Sequence, residues 1–233
     1  PACAQGPLVL DDLIGKRYDA DSGLPDESAT AMVQTPDGFL WFGTFSGLAR
    51  FDGLAFDVYT PANTPAMPDD GVVNLHLDRA GFLWCSTFAG IVRMKDGVWN
   101  RFGRDEGWTS DYARTFAEAP DGTLYVTGFD GKVLRFGGER FVELPPPPGR
   151  QQGALGHCDP EGRFWAVKGS FVGYLNGGEW KAVVEGPASG NDQARGGPAR
   201  DGALWVIRGD DLLKVGASGV IARFSLTRPV TGF

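Results

Sequence analysis

Short apolar segments separated by glycine-containing turns recur along the chain at a nearly constant interval. In five places a glycine is followed two residues later by an apolar and then an aromatic residue, at spacings of 40 to 43 residues. These anchor glycines are Gly38, Gly81, Gly122, Gly162 and Gly202. A second column of turn pairs keeps the same interval and comprises Asp52-Gly53, Asp96-Gly97, Gly137-Gly138, Gly177-Gly178 and Ser218-Gly219. Two columns that share one period indicate an internal repeat.

Each repeat reads as two hairpins, because an Asp-Gly pair supplies the positive φ of a tight turn and apolar residues flank it. The strands predicted for the first repeat are Ala29 to Thr35, Phe39 to Thr44, Leu48 to Phe51 and Phe56 to Thr60. Four strands in about 40 residues is typical of a propeller blade. The sequence therefore predicts an all-β fold, a β-propeller of four-stranded blades. Five blades are visible and we expect them to be part of a larger propeller, with a closed five-bladed ring as the alternative.

The domain boundaries follow from the repeats. We expect a β-propeller sensor domain over residues 13–233, with blades near 28–60, 71–102, 111–144, 153–184 and 193–226. Lys16 to Asp19 reads as a lone strand of the kind that completes a last blade. Residues 1–12 read as an export-signal remnant or a tail, because Ala2-Cys3-Ala4 has the small-x-small form of a signal-peptidase site.

Two further columns accompany the anchor glycine. One is aromatic, and we expect it to form the core: Trp41, Trp84, Tyr125, Trp165 and Trp205. The other is mostly basic: Arg50, Arg93, Arg135, Tyr174 and Lys214. Such residues usually lay their stems along apolar surface and pair with a nearby aspartate. A ring of ligand-binding cations is the alternative for this second column.

Charge and cysteine content exclude several classes of protein. Lys and Arg number 22 against 29 Asp and Glu, a net charge of −7, and the basic residues are scattered, which argues against nucleic-acid binding. The three cysteines, Cys3, Cys85 and Cys158, are too few for a disulfide scaffold. Apolar runs such as Gly38 to Phe42 are far shorter than the roughly 18 residues of a membrane-spanning helix.

The first repeat closely resembles the two-component regulator propeller repeat. The resemblance rests on Gly23-Leu24-Pro25, on the run from Val33 to Thr44 and on the run from Gly47 to Gly53. The second repeat has Cys85-Ser86-Thr87 in place of the family's Gly-Thr pair. Later repeats also depart from that pair, at Thr127-Gly128, Val167-Lys168 and Ile207-Arg208, so there the resemblance rests on the period.

The resemblance implies the extracytoplasmic sensor region of a bacterial sensor histidine kinase, hybrid two-component regulator or diguanylate cyclase. Family members usually carry more blades, a small β-sandwich, a membrane helix and a cytoplasmic signalling module. The expected location is the periplasmic or extracellular side of the bacterial inner membrane. Membrane contact is expected only through missing parts of the parent chain.

A ligand site is expected on the face that carries the connections between second and third strands and the blade-to-blade loops. We expect both kinds of connection to be longer and more varied than the opposite turns, and binding residues usually lie on such loops. The candidate binding residues are Phe45, Phe88, Phe129, Trp108, Asp130 and Asp210. The three phenylalanines occupy one repeat position and are expected to form a stacking platform for a sugar or an aromatic ligand. In the alternative, each ring packs between adjacent blades.

Enzymatic chemistry is weakly supported by the residue types. His76 and His157 lie on first strands of different blades, and no cluster has metal-ligand spacing. His157 and Cys158 are adjacent on a strand, so their side chains are expected on opposite faces. The acidic candidates at the channel are Asp78 and Glu118. We therefore expect no catalytic residue, no metal and no cofactor in this chain.

The sequence thus predicts a non-catalytic, ligand-sensing propeller of a two-component-type receptor. The expected partners are a small molecule or an oligosaccharide, and a second receptor copy in a homodimer. A protein-interaction or dimerisation propeller is the first alternative, and a propeller hydrolase or lyase is the second.

Overall fold

The computed structural model describes residues 17–149, 153–184 and 195–226, which form five antiparallel sheets of four strands each. The strands of each sheet pair in chain order, so each sheet is one blade. The strands are β1 (Ala29–Gln34), β2 (Leu40–Thr44), β3 (Gly47–Phe51), β4 (Phe56–Tyr59), β5 (Val72–Leu77), β6 (Leu83–Thr87), β7 (Gly90–Lys95), β8 (Val98–Phe102), β9 (Ala113–Glu118), β10 (Leu124–Gly128), β11 (Val133–Phe136), β12 (Phe141–Leu144), β13 (Leu155–Cys158), β14 (Phe164–Lys168), β15 (Phe171–Asn176), β16 (Glu179–Val184), β17 (Arg195–Pro198), β18 (Leu204–Arg208), β19 (Asp211–Gly216) and β20 (Gly219–Ser225). The predicted all-β fold of four-stranded blades is confirmed.

The first strands of successive blades lie side by side. Strand β1 contacts β5, β5 contacts β9, β9 contacts β13, and β13 contacts β17. Within the described segments no helix combines the length and the apolar character that crossing a membrane requires. The five blades therefore follow one another in chain order, with the first strand of each lying innermost.

The two glycine columns form the two hairpin turns of each blade, as predicted. In blade two Gly81 has φ 85° between β5 and β6, and Gly97 has φ 78° between β7 and β8. Residues with a side chain rarely adopt this left-handed backbone conformation, so glycine is favoured at both turns. The glycine period is thus a direct consequence of hairpin geometry.

The prediction of a lone strand over Lys16 to Asp19 is wrong, because Arg17 to Asp19 belong to no strand. Lys16 lies outside the described residues. A 3-10 turn, Ala20–Ser22, follows instead. Tyr18 lies edge-on to Phe51, with ring centroids 4.8 Å apart. Packing against the outer half of blade one thus replaces the expected strand pairing.

The hydrophobic core is divided among the junctions between blades. One cluster joins blades one and two through Trp41, Leu48, Val72 and Leu83. The next joins blades two and three around Trp84, and the third joins blades three and four around Phe164. The last cluster joins blades four and five around Trp165 and Leu204. Blades two, three and four therefore each bury both faces against described neighbours, whereas blades one and five each pack against one.

The aromatic and basic columns face each other across the second and third strands. The cross-strand pairs are Trp41 with Arg50, Trp84 with Arg93, Tyr125 with Arg135, Trp165 with Tyr174, and Trp205 with Lys214. Trp41, Trp84 and Trp165 are buried, as predicted for core residues.

The basic column lies along aromatic surface. Arg50 pairs with Asp57, and its guanidinium carbon lies 4.4 Å from the centre of the Phe39 ring. Lys214 pairs with Asp201 and lies over the ring of its cross-strand neighbour Trp205. Cation–π contact and ion pairing explain these two positions without a ligand.

In blades one, two and four, the indole N–H of the buried tryptophan in the aromatic column is satisfied by the residue three positions before the anchor glycine. Trp84 Nε1 donates to Asp78 at 2.8 Å, and Trp165 Nε1 donates to Asp159 at 2.8 Å. In blade one Trp41 Nε1 donates to the hydroxyl of Thr35 at 3.2 Å. An unsatisfied buried donor would cost about 1–3 kcal/mol, so this acceptor protects the core.

In each of the first three blades, the residue five positions after the anchor glycine contacts the next blade. A Cβ at Gly43 would lie 2.6 Å from Val72 Cγ1 of blade two, so only glycine fits there. In blade two Ser86 Oγ accepts from the backbone N–H of Ala113 at 2.8 Å. In blade three Thr127 Oγ1 donates to the carbonyl of Ala154 at 2.8 Å. The departures from the family's Gly-Thr pair in blades two and three therefore supply inter-blade hydrogen bonds.

We predict that Asp159→Asn destabilises the protein by about 1.5–3 kcal/mol at pH 7, because the charged acceptor of several hydrogen bonds is lost. The carboxylate is 1% exposed and also accepts from the backbone N–H and the guanidinium of Arg163. Burial raises the pKa of Asp159, but the hydrogen bonds from Trp165 and Arg163 together lower it more, so the net pKa lies below 3.8. The stabilisation is therefore present above pH 3.8 and is lost as the pH falls through the folded-state pKa.

Urea unfolding of the wild type and of the variant at pH 7 and at pH 3 checks this expectation. The difference between the two proteins should shrink at the lower pH. Asp105→Asn changes an exposed carboxylate and serves as the control. A difference that is the same at both pH values would contradict the assigned role of Asp159.

Candidate ligand-binding face

The connections between second and third strands lie on the same side of the blades as the blade-to-blade loops, and we call this side the loop face. In blades one, two, four and five the second-to-third connection is a two-residue turn, for example Phe45 and Ser46. The expectation that these connections would be long is therefore wrong in four of the five blades. In blades one and two a buried threonine closes the turn. Thr44 Oγ1 donates to the carbonyl of Gly47 and accepts from the N–H of Ser46.

Four aromatic side chains form a continuous row on the loop face. We call Phe45, Phe88, Tyr112 and Phe129 the aromatic row. Phe45 and Phe88 are stacked, with centroids 6.1 Å apart and planes at 11°. Tyr112 stands edge-on to Phe88 at 5.4 Å and stacks on Phe129 at 5.1 Å and 20°. The row crosses blades one, two and three.

The rings of the aromatic row are open to solvent. Phe45, Phe88 and Phe129 are 50%, 48% and 39% exposed, so they are not buried between blades. Phe88 lies over Gly71, where a Cβ would be 2.4 Å from the ring. Partly exposed rings in mutual contact form a continuous apolar surface, and such patches often mark binding sites.

Sequence reasoning missed Tyr112, which immediately precedes β9. It occupies the repeat position that Gly71 holds in blade two, ten residues before the anchor glycine. Of the first three blades, only blade three has an aromatic residue at this position. That difference was the signal in the sequence that could have identified Tyr112. Its ring links Phe88 to Phe129 and makes the row continuous.

The other candidate binding residues lie in different settings. Trp108 is 3% exposed and packs against Phe141 in the core between blades two and three, so its expected place on the platform is wrong. Asp130 follows Phe129 and accepts hydrogen bonds from Ser110 Oγ and the Lys132 N–H. Asp210 is exposed in the β18–β19 turn of blade five, away from the three blades of the aromatic row.

The two acidic candidates for catalysis are engaged in structural hydrogen bonds. Asp78 accepts from the backbone N–H of Phe82 and from the Trp84 indole, both at 2.8 Å. Both carboxylate oxygens of Glu118 accept from the backbone N–H of Arg79, at 3.2 and 3.0 Å. Proton transfer to either group would compete with these bonds.

The two histidines lie on innermost strands. Burial lowers the pKa of His76 and of His157, with nearby aspartates partly opposing the effect, so both imidazoles are neutral at neutral pH. His76 stacks on Phe116 at 5.5 Å, and its Nε2 is 3.9 Å from Glu118. Among the described residues, no group of three His, Cys, Asp or Glu side chains comes together in a metal-binding arrangement.

Two cavities open on the opposite side, at the hairpin turns. One, of about 640 Å³, lies between blades one and two and is lined by Trp41, Tyr59, Trp99, Arg50 and Lys95. The other, of about 350 Å³, lies near the innermost strands and is lined by Arg79, Glu118, His157, Cys158 and Arg200. Sequence reasoning predicted neither cavity, since each forms between side chains of different blades.

The fold places this chain among β-propellers. Residues 23–46 match the family model described as Two component regulator propeller, which confirms the family resemblance in that segment. A comparison with curated proteins finds no match.

Solved structures share the fold over most of the chain. Virginiamycin B lyase from Staphylococcus aureus aligns with a TM-score of 0.67 and 18% identity, over 86% of this chain and 71% of that one. The extracellular domain assigned to the hybrid two component system BT4673 of B. thetaiotaomicron aligns with a TM-score of 0.67 and 15% identity, over 88% and 31%. A gluconolactonase from Xanthomonas campestris aligns with a TM-score of 0.53 and 15% identity, over 78% and 70%. At these identities the likeness shows the propeller fold, which sensors and enzymes share.

We predict that Cys85 and Cys158 do not react with thiol reagents in the folded protein at pH 8. Burial raises the pKa of both thiols to about 12, and nearby acidic groups add to the effect at Cys158. The reactive thiolate is therefore scarce and shielded. Mass spectrometry after brief treatment with iodoacetamide, with and without urea, checks this. Rapid folded-state labelling of Cys158 would instead support a nucleophilic role beside His157.

Proposed function

We propose that this chain is the extracytoplasmic, ligand-sensing propeller of a bacterial two-component-type receptor, and that it is not itself catalytic. The observation that carries the proposal is the solvent-exposed aromatic row on a propeller with this family's repeat. The ligand is a small molecule or an oligosaccharide with flat apolar faces, which stacks on the rings. A histidine kinase or diguanylate cyclase module elsewhere in the parent receptor supplies the output.

The aromatic row suits reversible binding. Phe45 and Phe88 lie in two-residue turns, and all four rings contact one another along the row, so little conformational freedom is lost when a ligand stacks on them. Stacked aromatic faces bind the C–H faces of sugars and the rings of aromatic ligands without fixing one hydrogen-bonding pattern. Ligand binding signals only when it favours one receptor arrangement over another.

A non-catalytic role is supported by the state of the candidate acids. The carboxylates of Asp78 and Glu118 accept backbone and indole hydrogen bonds that hold the hairpin turns. Two of the solved structures that share the fold are a lyase and a gluconolactonase, so a propeller enzyme is the alternative function. A turnover assay distinguishes the two. Under the enzyme alternative, Glu118→Gln would abolish turnover of a compound that the wild type converts.

We predict that a stacking ligand raises the melting temperature of the wild type and that Phe88→Ala removes this rise. Oligosaccharides, amino acids and aromatic acids form the test panel. A ligand at 100 times its dissociation constant adds about 2.7 kcal/mol, which corresponds to a rise of roughly 5–10 °C for a domain of this size. Phe88 lies between Phe45 and Tyr112, so its removal interrupts the aromatic row.

Phe224→Ala is the matched control, because Phe224 is also about half-exposed but lies on the outer strand of blade five. This control should keep the ligand-induced rise. The absence of a rise with every compound, together with a concentration-dependent dimer in sedimentation, would contradict ligand sensing and favour the interaction-platform alternative.

A further inference from the structure

The loop face changes its chemistry between the third and the fourth blade. At position seven after the anchor glycine, blades one to three carry the phenylalanines of the aromatic row, while blades four and five carry Gly169 and Gly209. At position six, blades one and two carry buried threonines, while blades four and five carry Lys168 and Arg208. Val167-Lys168 is one of the departures from the family's Gly-Thr pair.

Lys168 is a buried cation with little local compensation. The residue is 7% exposed, and its Nζ donates to the carbonyl of Pro147 at 3.4 Å. No carboxylate of the described residues lies within 4.0 Å of this Nζ, and the nearby Asp130 lies 3.9 Å from Lys132 Nζ instead. Burial lowers the pKa of the Lys168 amine, with Asp130 partly opposing this.

Lys168 and a second cation, Arg114, each lie against one of two neighbouring glycines, Gly131 and Gly153. The Arg114 guanidinium carbon is 6.0 Å from the centre of the Phe129 ring. Gly131 and Gly153 occupy the space around the two cationic groups. A Cβ at Gly131 would lie 3.1 Å from Lys168 Nζ, and one at Gly153 would lie 2.6 Å from Arg114 Nη1. The two positive groups thus flank this pair of glycines, and Arg114 connects the pair to the Phe129 end of the aromatic row.

Structural needs alone do not explain a lysine at this position. Thr44 and Thr87 close the equivalent turns with two hydrogen bonds each and introduce no charge. Burying an ammonium group without a carboxylate partner is costly, and the cost falls when an anion provides the missing partner. An anionic group on a bound ligand would supply that partner in a protein whose net charge is −7.

We propose that the loop face binds a carboxylated oligosaccharide, whose sugar ring stacks on Phe129 and whose carboxylate pairs with Lys168 and Arg114. This inference rests on the proposed function, since it uses the aromatic row as the stacking surface. A guanidinium and an ammonium group on one carboxylate give charge-assisted hydrogen bonds, which are about twice as strong as neutral ones. The basic pair thus selects acidic sugars among those that stack on the row.

The test compares trigalacturonic acid with its fully methyl-esterified form, which has the same rings without the charges. Isothermal titration at pH 7 and low salt should show at least tenfold tighter binding of the acid by the wild type. Lys168→Met keeps the length and the apolar stem of the side chain and should reduce this preference to about threefold or less. Its melting temperature without ligand should equal or exceed that of the wild type, because an uncompensated buried charge is removed.

Lys95→Met is the matched control, since Lys95 lies at the hairpin-turn side of blade two and should leave the preference unchanged. Equal binding of the acid and the ester, with both abolished by Phe88→Ala, would overturn the inference and leave the proposed function intact. Failure of both compounds to bind would overturn the inference, and the wider ligand panel would then decide on the proposed function. Unchanged preference in Lys168→Met would also overturn it.

Discussion

The buried indole and its acceptor are the interaction on which the described blades depend most. A tryptophan ring fills the wedge between neighbouring sheets, and truncating such a ring to alanine typically costs 3–5 kcal/mol. At Trp84 and Trp165 the N–H of the buried ring has a partner, so burial there leaves no unsatisfied donor. Asp78 and Asp159 provide that partner and, through the same carboxylate, accept from the hairpin backbone. One side chain thus couples the local turn to the packing between blades.

This coupling assigns different roles to the two sides of the blades. The hairpin-turn side carries the acceptors and glycines that maintain the fold, and the carboxylates of Asp78 and Asp159 are already engaged there. On the loop face of blades one and two, buried Thr44 and Thr87 close the turns with hydrogen bonds that stay within the turn. The following residue is then free to vary. Phenylalanine at that position in three blades produces the exposed aromatic row without any change to the core.

The blades were predictable because their determinants are local. Positive-φ glycines and alternating apolar residues fix hairpins within a few positions, and the four strands of blade one end within one residue of their predicted ends. Trp108 could not be placed correctly, since its burial depends on Phe141, which is distant in sequence. Tyr112 was missed for a similar reason, because its role arises from contacts with Phe88 and Phe129 across two blades.

Departures from the repeat fall into two physical kinds. Ser86 and Thr127 differ from the family pattern and form hydrogen bonds to the next blade, so the fold itself accounts for them. Lys168 differs and forms one long hydrogen bond, while its charge stays without a carboxylate partner among the described residues. A repeat architecture makes this distinction sharp, because sibling positions show what the fold alone requires. A residue that exceeds this requirement, and adds a cost, calls for a ligand. Phe129 and Arg114 belong to blade three and Lys168 belongs to blade four, so a ligand that contacts all three would join these blades and report on their relative position.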